Sequence, residues 1–275
     1  MLTISELNIY PIKSLGGIAL NNATLTDRGF EYDRRWMLVD ENGQFLSQRE
    51  VHAMALLKVQ LTGEGLLIRN TNVPGAELLV PFQPESSETG MVTVWSNHCR
   101  AQKVSEGADA WFTRQLGQPC KLVYMPDATH RYVDSRYAHH KEITSFSDGY
   151  PLLLIGQASL DDLNSRLATP LPMDRFRPNI VFKGGTPFLE DMMKEFSING
   201  ITFYGVKPCA RCSITTIDQQ TAQTAKEPLK TLSTYRMKNN RIHFGQNLLY
   251  QGTGIISLGD TVTIHEKKLV EVIPE

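Results

Sequence analysis

The segment KPCARCSITTIDQQT, residues 207–221, separates Cys209 from Cys212 by Ala210 and Arg211. The chain has two further cysteines, Cys99 and Cys120, each isolated. Three chemistries use such a pair. A structural zinc ion takes four Cys or His ligands, commonly as two short pairs. The other close neighbours, His98–Cys99 and His139–His140, are adjacent in sequence, and adjacent strand residues point to opposite faces. Disulfide exchange uses a CxxC that opens a helix, whose N-terminus lowers the thiol pKa. Here the pair follows a strand-like segment, residues 201–206, and precedes residues 213–217, whose β-branched side chains predict another strand. The third chemistry is a single thiolate ligand with basic neighbours.

Basic neighbours recur in one style. PIKSLGG, residues 11–17, sets Lys13 and Ser14 at the end of the first predicted strand, ahead of Gly16 and Gly17. EYDRRWML sets Arg34 and Arg35 just before a strand, and FRPNI sets Arg177 and Asn179 around Pro178. Strand-end Arg, Lys, Ser and Asn beside glycines supply the charged forks, hydroxyls and open backbone N–H groups that a phosphate needs. Singly, each reads as a solvated charge or a surface salt bridge. Together, with a thiol that needs a use, they point to an anionic ligand. His130, Arg131, Arg136, His139 and His140 crowd one segment that reads as a solvated loop or as a proton relay. Asp218 reads as a turn former, and Trp36, Trp95 and Trp111 as core residues.

The frame that must position these groups is soluble and mostly β. With 275 residues the chain can bury a substantial core, as one large domain or two modest ones. A composition 41% hydrophobic and 21% charged is that of an ordinary globular protein. The balance of 28 basic against 29 acidic residues argues against a general polyanion binder, so nucleic acid is not an expected partner, and leaves room for a local basic pocket. The apolar run at residues 152–155 is far too short to cross a bilayer, and no membrane association is expected. MLTISELNIYPIKS carries no signal-peptide pattern, and four cysteines do not make a disulfide framework. Reducing cytoplasm is the expected compartment.

Turn signals are frequent. Asn42–Gly43 divides residues 36–40 from 44–47, Gly63-Glu64-Gly65 divides 57–61 from 66–69, and Asn199–Gly200 divides 196–198 from 201–206. Further strands are predicted at residues 4–10, 92–95, 122–125, 179–182 and 261–265. One helix is predicted over residues 108–116, ended by Gly117 and Pro119. Another starts at Ser159, with Asp162 three residues on as in a capping box and Leu160, Leu163 and Leu167 on one face. Hairpin turns outnumber crossovers, which predicts an α+β chain dominated by antiparallel strands. The polar, basic stretch 125–142 reads as a boundary or a site-lining loop.

PIKS, DRRWML, DGYPLLLIGQASLDDLN, FRPNIV, KPCARCSITTID, KEPLKTL and FGQN occur in this order. Their collinear set resembles the MOSC-domain proteins, in the group that includes the mitochondrial amidoxime-reducing components and the bacterial YcbX-like proteins. The resemblance implies an N-terminal MOSC-associated β-rich domain, residues 1–125, packed on a C-terminal MOSC β-barrel, residues 126–275. It implies a molybdenum ion carried by a phosphorylated pyranopterin, with Cys212 as the one protein ligand and catalytic residue. By the same transfer Lys13, Ser14, Arg34, Arg177 and Asn179 would hold the pterin and its phosphate, with Arg211 and Thr215 beside the ligand. Cys209 has no implied ligand role and reads as a small buried residue. The implied activity is reduction of small N-hydroxylated compounds. YcbX-like proteins add a ferredoxin module, whose C-x₄-C-x₂-C spacing is missing here. No iron–sulfur cluster is expected in this chain, and a separate flavin or iron–sulfur protein is the expected electron donor. The competing implication is a non-catalytic carrier of sulfur or of the molybdenum cofactor.

Overall fold

The strand Leu152–Gly156 is buried along its whole length. In the computed structural model, which describes residues 1–268, Leu152 and Leu154 enter one core while Leu153 and Ile155 enter another. A strand covered on both faces reads as a continuous apolar run rather than an alternating one, and this one does. It is a stave of a closed seven-stranded barrel. Leu152–Gly156 runs parallel to Ile180–Lys183, which pairs with Leu2–Ile9. The circuit continues through Thr261–Lys267, Met193–Ile198, Ile201–Ala210 and Arg241–Gln251, and the last of these pairs back onto Leu152–Gly156. Closure removes the unpaired edges that an open sheet exposes. Ile4, Leu7, Phe182, Phe196, Phe203 and Leu248 fill the interior, and the helix Gln157–Ser165 lays Leu160 and Leu163 over the outer face.

The second unit is a four-stranded sheet, in the order Trp36–Val39, Lys121–Tyr124, Asn97–Lys103, Thr89–Val94, beside the meander Leu57–Leu61, Gly65–Asn70, Glu77–Pro81. Trp36–Val39 is buried on both faces: Trp36 and Leu38 pack with Trp111 and Phe112, Met37 and Val39 with Val94 and Phe146. The helix Glu106–Leu116 starts where Ser105 Oγ accepts the Ala108 N–H and stops at Gly117, whose φ of 69° ends the α conformation.

The chain is thus mostly β, with an N-terminal β-rich part and a barrel. The barrel draws on both sides of the division expected at residue 125, because Leu2–Ile9 is one of its staves and Asn22–Leu25 pairs with Gly254–Ser257. Leu2–Ile9 pairs with residues more than 170 positions away, a distance over which local pattern carries no pairing information. Three local expectations are corrected. The second helix begins at Gln157 after Gly156, not at Ser159, since Ser159 Oγ is taken by the buried Glu190 and by the Phe188 N–H, each at 2.8 Å. Residues 44–47 form single bridges rather than a strand, Gln44 to Thr93 and Phe45 to Val39, although the Asn42–Gly43 turn itself is made. Residues 213–217 hold the 3₁₀ turn Ser213–Thr216 instead of a strand. There the Thr215 and Thr216 hydroxyls donate back to the carbonyls of Cys212 and Ser213, an alternative to the ladder that β-branched composition does not reveal.

Candidate functional site

At least five chain segments meet at one cavity. The first barrel strand ends at Ile9, and the chain turns through Pro11–Ile12, so that Lys13 and Ser14 face inward. Arg34 arrives just before Trp36–Val39, Arg177 and Asn179 just before Ile180–Lys183, and Cys209 to Cys212 at the end of Ile201–Ala210. All of these residues line the cavity, as do Ser147, Asp148 and Tyr150. Of the predicted site residues, Thr215 alone does not; it is fully buried, its hydroxyl on the Cys212 carbonyl and its own carbonyl accepting from Arg175 Nε at 3.0 Å. Its contacts hold the turn that follows Cys212.

Ser14, Arg34 and Arg177 have φ of 69°, 49° and 55°. Left-handed backbone is uncommon for such residues, costs of order 1 kcal/mol each, and is tolerated where the surroundings impose it. That three cavity residues share it marks the loops as fixed by tertiary contacts. Asp33, 1% exposed, provides the main one: its carboxylate receives Arg34 Nη1 at 2.6 and 2.8 Å and the Tyr10 N–H at 2.8 Å. Arg34 also donates to Asn179 Oδ1 at 3.0 Å and to the Arg177 carbonyl at 3.3 Å. Both guanidiniums pack over the Tyr10 ring, their centres 4.3 Å (Arg34) and 4.2 Å (Arg177) from its centroid. Burial pushes the Tyr10 phenol up to about 12, so the ring stays a neutral π surface for two cations. Asn179 spends its amide inside the fold, donating to the Asn8 carbonyl and accepting from Arg34 and the Leu153 N–H. It positions Arg34 rather than presenting a free group.

The cavity is strongly cationic. Lys13, Arg34, Arg177 and Arg211 line it against one carboxylate, Asp148, which holds Lys13 Nζ at 2.6 Å. Burial pushes Lys13 down from its ordinary value, an effect Asp148 opposes. Burial likewise brings Arg177 down to about 10, with Arg34 nearby acting in the same direction. Among the described residues neither Arg177 nor Arg211 has an ion-pair partner, and Arg211 Nε and the Tyr150 hydroxyl are buried without any hydrogen bond. A buried cation without its counter-charge is expensive, so this donor set suits an anionic ligand with several acceptors.

The two cysteines differ. Cys209 Sγ accepts from Arg211 Nη1 at 3.1 Å, and burial pushes its thiol up. Cys209 therefore lines the cavity and is engaged, where the sequence suggested only a packing role. Cys212 Sγ has no hydrogen-bond partner among the described residues, and its residue is half-buried at the cavity wall. No group of three or more His, Cys, Asp or Glu side chains converges to hold a metal ion among the described residues. A metal bound at Cys212 would take its other ligands from a second molecule, as the single-thiolate chemistry requires.

The basic loop lies elsewhere. His130, His139 and His140 are exposed and outside the cavity, His139 stacking on Tyr204 with centroids 4.6 Å apart. Arg136 pairs with Asp134, and the buried Arg131 donates to the carbonyls of Ser145, Ser147 and Asp148. That clamp fixes the segment bearing Asp148; the proton-relay reading has no geometric support. Asp218 does form a turn, accepting from the Gln220 and Thr221 N–H groups. Tyr10, Asp33, Asp148 and Tyr150 escaped the sequence reading. Asp33 carried a signal, an acid directly before the paired arginines, whereas SDGY reads only as a turn.

The MOSC N-terminal beta barrel domain family matches residues 1–119, and the MOSC domain family matches residues 141–263. Mitochondrial amidoxime-reducing component 1 of Homo sapiens is 30% identical over 280 residues, which cover 94% of this chain and 82% of that protein. Mitochondrial amidoxime reducing component 2 of Rattus norvegicus is 31% identical, with 94% and 82% covered. Molybdenum cofactor sulfurase of Oryza sativa subsp. japonica is 31% identical over 90% of this chain, which spans only 32% of that longer protein.

Proposed function

This chain belongs to the MOSC-domain family, and from that premise we propose that it is a molybdenum-cofactor-dependent reductase of N-hydroxylated compounds, supplied with electrons by a separate protein. The observation that carries the reading is the convergence of one unengaged thiol, Cys212, with four cations on one cavity. The residues fit a phosphorylated pterin that brings two sulfurs to a metal. Cys212 supplies the thiolate that a soft metal prefers. Arg177, fixed over Tyr10 without an ion-pair partner among the described residues, offers its guanidinium to a phosphate, which such planar donors hold through paired hydrogen bonds. Arg34, whose Nη atoms are held by Asp33, Asn179 and the Arg177 carbonyl, adds positive charge beside it. Arg211 Nε and the Tyr150 hydroxyl are donors without partners in the protein. Burial keeps the Tyr150 phenol protonated, so it donates at any neutral pH.

When bound, the cofactor supplies the two-electron step that breaks an N–O bond; two protons complete the amine or amidine and water. The chain's own residues bind, orient and shield. Arg131 clamps the carbonyls of Ser145, Ser147 and Asp148, Asp148 fixes the Lys13 ammonium, and Asp33 fixes Arg34. Arg211 donates to Cys209 and to the Phe176 carbonyl, which holds the CxRC segment against the cavity wall.

A second reading, a carrier of sulfur or of the cofactor, is favoured by the likeness to the cofactor sulfurase. One experiment separates them. Cofactor-loaded protein is mixed with chemically reduced methyl viologen and benzamidoxime. Substrate-dependent oxidation of the dye with benzamidine formed supports the reductase; no turnover, with cofactor passing to an acceptor apoprotein, supports the carrier.

A further inference from the structure

The tip of the N-terminal hairpin Thr89–Val94/Asn97–Lys103 comes to the mouth of the cavity, and at that tip stands Trp95. The sequence suggested core packing for all three tryptophans. Trp36 and Trp111 are 1% and 8% exposed, but Trp95 is 44% exposed. Its φ of 57° is a left-handed conformation that a bulky residue adopts only under constraint. The constraint is visible. Trp95 Nε1 donates to Asp148 Oδ1 at 3.0 Å, the Arg49 guanidinium lies 4.3 Å from the ring centroid, and Phe45 packs 5.2 Å away at 56°. Asp148 is the cavity carboxylate that holds Lys13, and the Lys13 ammonium sits 5.2 Å from the Phe45 ring. A large aromatic ring is thus held outward at the rim by the same carboxylate that lines the site.

We infer that Trp95 is a specificity-determining residue, a platform on which a planar aromatic or heteroaromatic substituent stacks while the substrate's N-hydroxylated group enters the cavity. The inference rests on the reductase reading and narrows its substrate class to compounds with a flat ring next to the N–OH function. The geometry suits this role. Arg49 covers one side of the indole, stiffening it at little entropic cost, and the exposed remainder can stack with centroids ~4.5–7 Å apart. Ring-on-ring stacking of this kind is worth about tenfold in affinity, near the lower end of the range found when aromatics that stack on flat heterocycles are truncated.

The test compares two substrates in the cofactor-loaded enzyme, benzamidoxime with a ring and acetamidoxime without one, in the parent, Trp95→Phe and Trp95→Ala. The ratio of kcat/KM for benzamidoxime over acetamidoxime is expected to fall about tenfold in Trp95→Ala, through KM for benzamidoxime. Trp95→Phe keeps a ring but loses the indole N–H, so it should retain most of the ratio. Any change transmitted through Asp148 affects both substrates alike and cancels. An unchanged ratio in Trp95→Ala, or an equal fall in Trp95→Phe, overturns the inference. A second readout needs no turnover. Because the other two tryptophans are buried, benzamidine bound at the rim should quench the exposed Trp95 emission, and Trp95→Ala should lose that quenching. If the parent reduces neither substrate, the reductase reading falls, and the quenching then decides the platform alone: its absence in the parent overturns it.

Discussion

Asp33 carries the cationic wall, and its removal should be among the most damaging single changes in the chain. The carboxylate is 1% exposed and serves two groups, the Arg34 guanidinium at 2.6 Å and the Tyr10 N–H at 2.8 Å. In Asp33→Ala, Arg34 keeps only the Asn179 amide oxygen and the Arg177 carbonyl as acceptors, and its side chain is 12% exposed. Stranding one member of a buried ion pair costs about 3–5 kcal/mol. A buried N–H left without an acceptor adds about 1–3 kcal/mol. Neighbouring terms share relaxation and do not fully add, so a loss of about 5 kcal/mol is expected, a large share of the 5–15 kcal/mol typical of a domain. Asp33→Asn keeps an oxygen for the Tyr10 N–H and removes only the charge, and should lose about half as much. Urea unfolding measures both, through midpoints at unchanged slope. A loss below about 1 kcal/mol in Asp33→Ala would refute the anchoring role. Equal losses in the two variants would refute the division between charge and hydrogen bond.

Two further changes probe the barrel. Burial pushes Glu190 up to about 7 from an ordinary 4.5, with Ser159 donating to one oxygen and the other unpartnered. The folded state then holds a proton that the unfolded state releases, so stability should fall as pH rises from about 4.5 to 7 and level off above. Glu190→Gln should flatten thermal stability across that window, and an unchanged pH profile would contradict it. A Cβ at Gly205 would lie 2.0 Å from the Met193 carbonyl oxygen, in the pairing of two barrel strands, whereas one at Gly90 would meet nothing within 4 Å. Gly205→Ala should cost at least about 2–3 kcal/mol in urea unfolding and Gly90→Ala little; similar midpoints would contradict the strand register.

What was legible in the sequence was chemistry at strand ends and the turns that separate strands. PIKS, DRRW and FRPN announced cationic loops only together, since each charge alone reads as solvated. LLLI reads in the sequence only as too short to cross a bilayer, and its place as a stave covered on both faces came from the fold. What was not legible depended on distant partners. Leu2–Ile9 gives no local sign that it pairs with residues 180–183 and 261–262. Tyr10 looks like any core aromatic until Arg34 and Arg177 converge on it. Asp148 sits in a plain turn signal, and only the fold brings Lys13 and Trp95 to its carboxylate. The strand predicted at 213–217 failed because hydroxyl-to-carbonyl bonds outweighed β-branching.

The most direct test of the central claim is molybdenum and pterin content of the protein from a host that overproduces the cofactor, beside Cys212→Ala and Cys209→Ala. The account predicts near-stoichiometric metal and pterin in the parent, metal lost in Cys212→Ala, and metal retained in Cys209→Ala, whose thiol is engaged by Arg211. A parent without molybdenum or pterin, or a loss that follows Cys209 instead of Cys212, would contradict it.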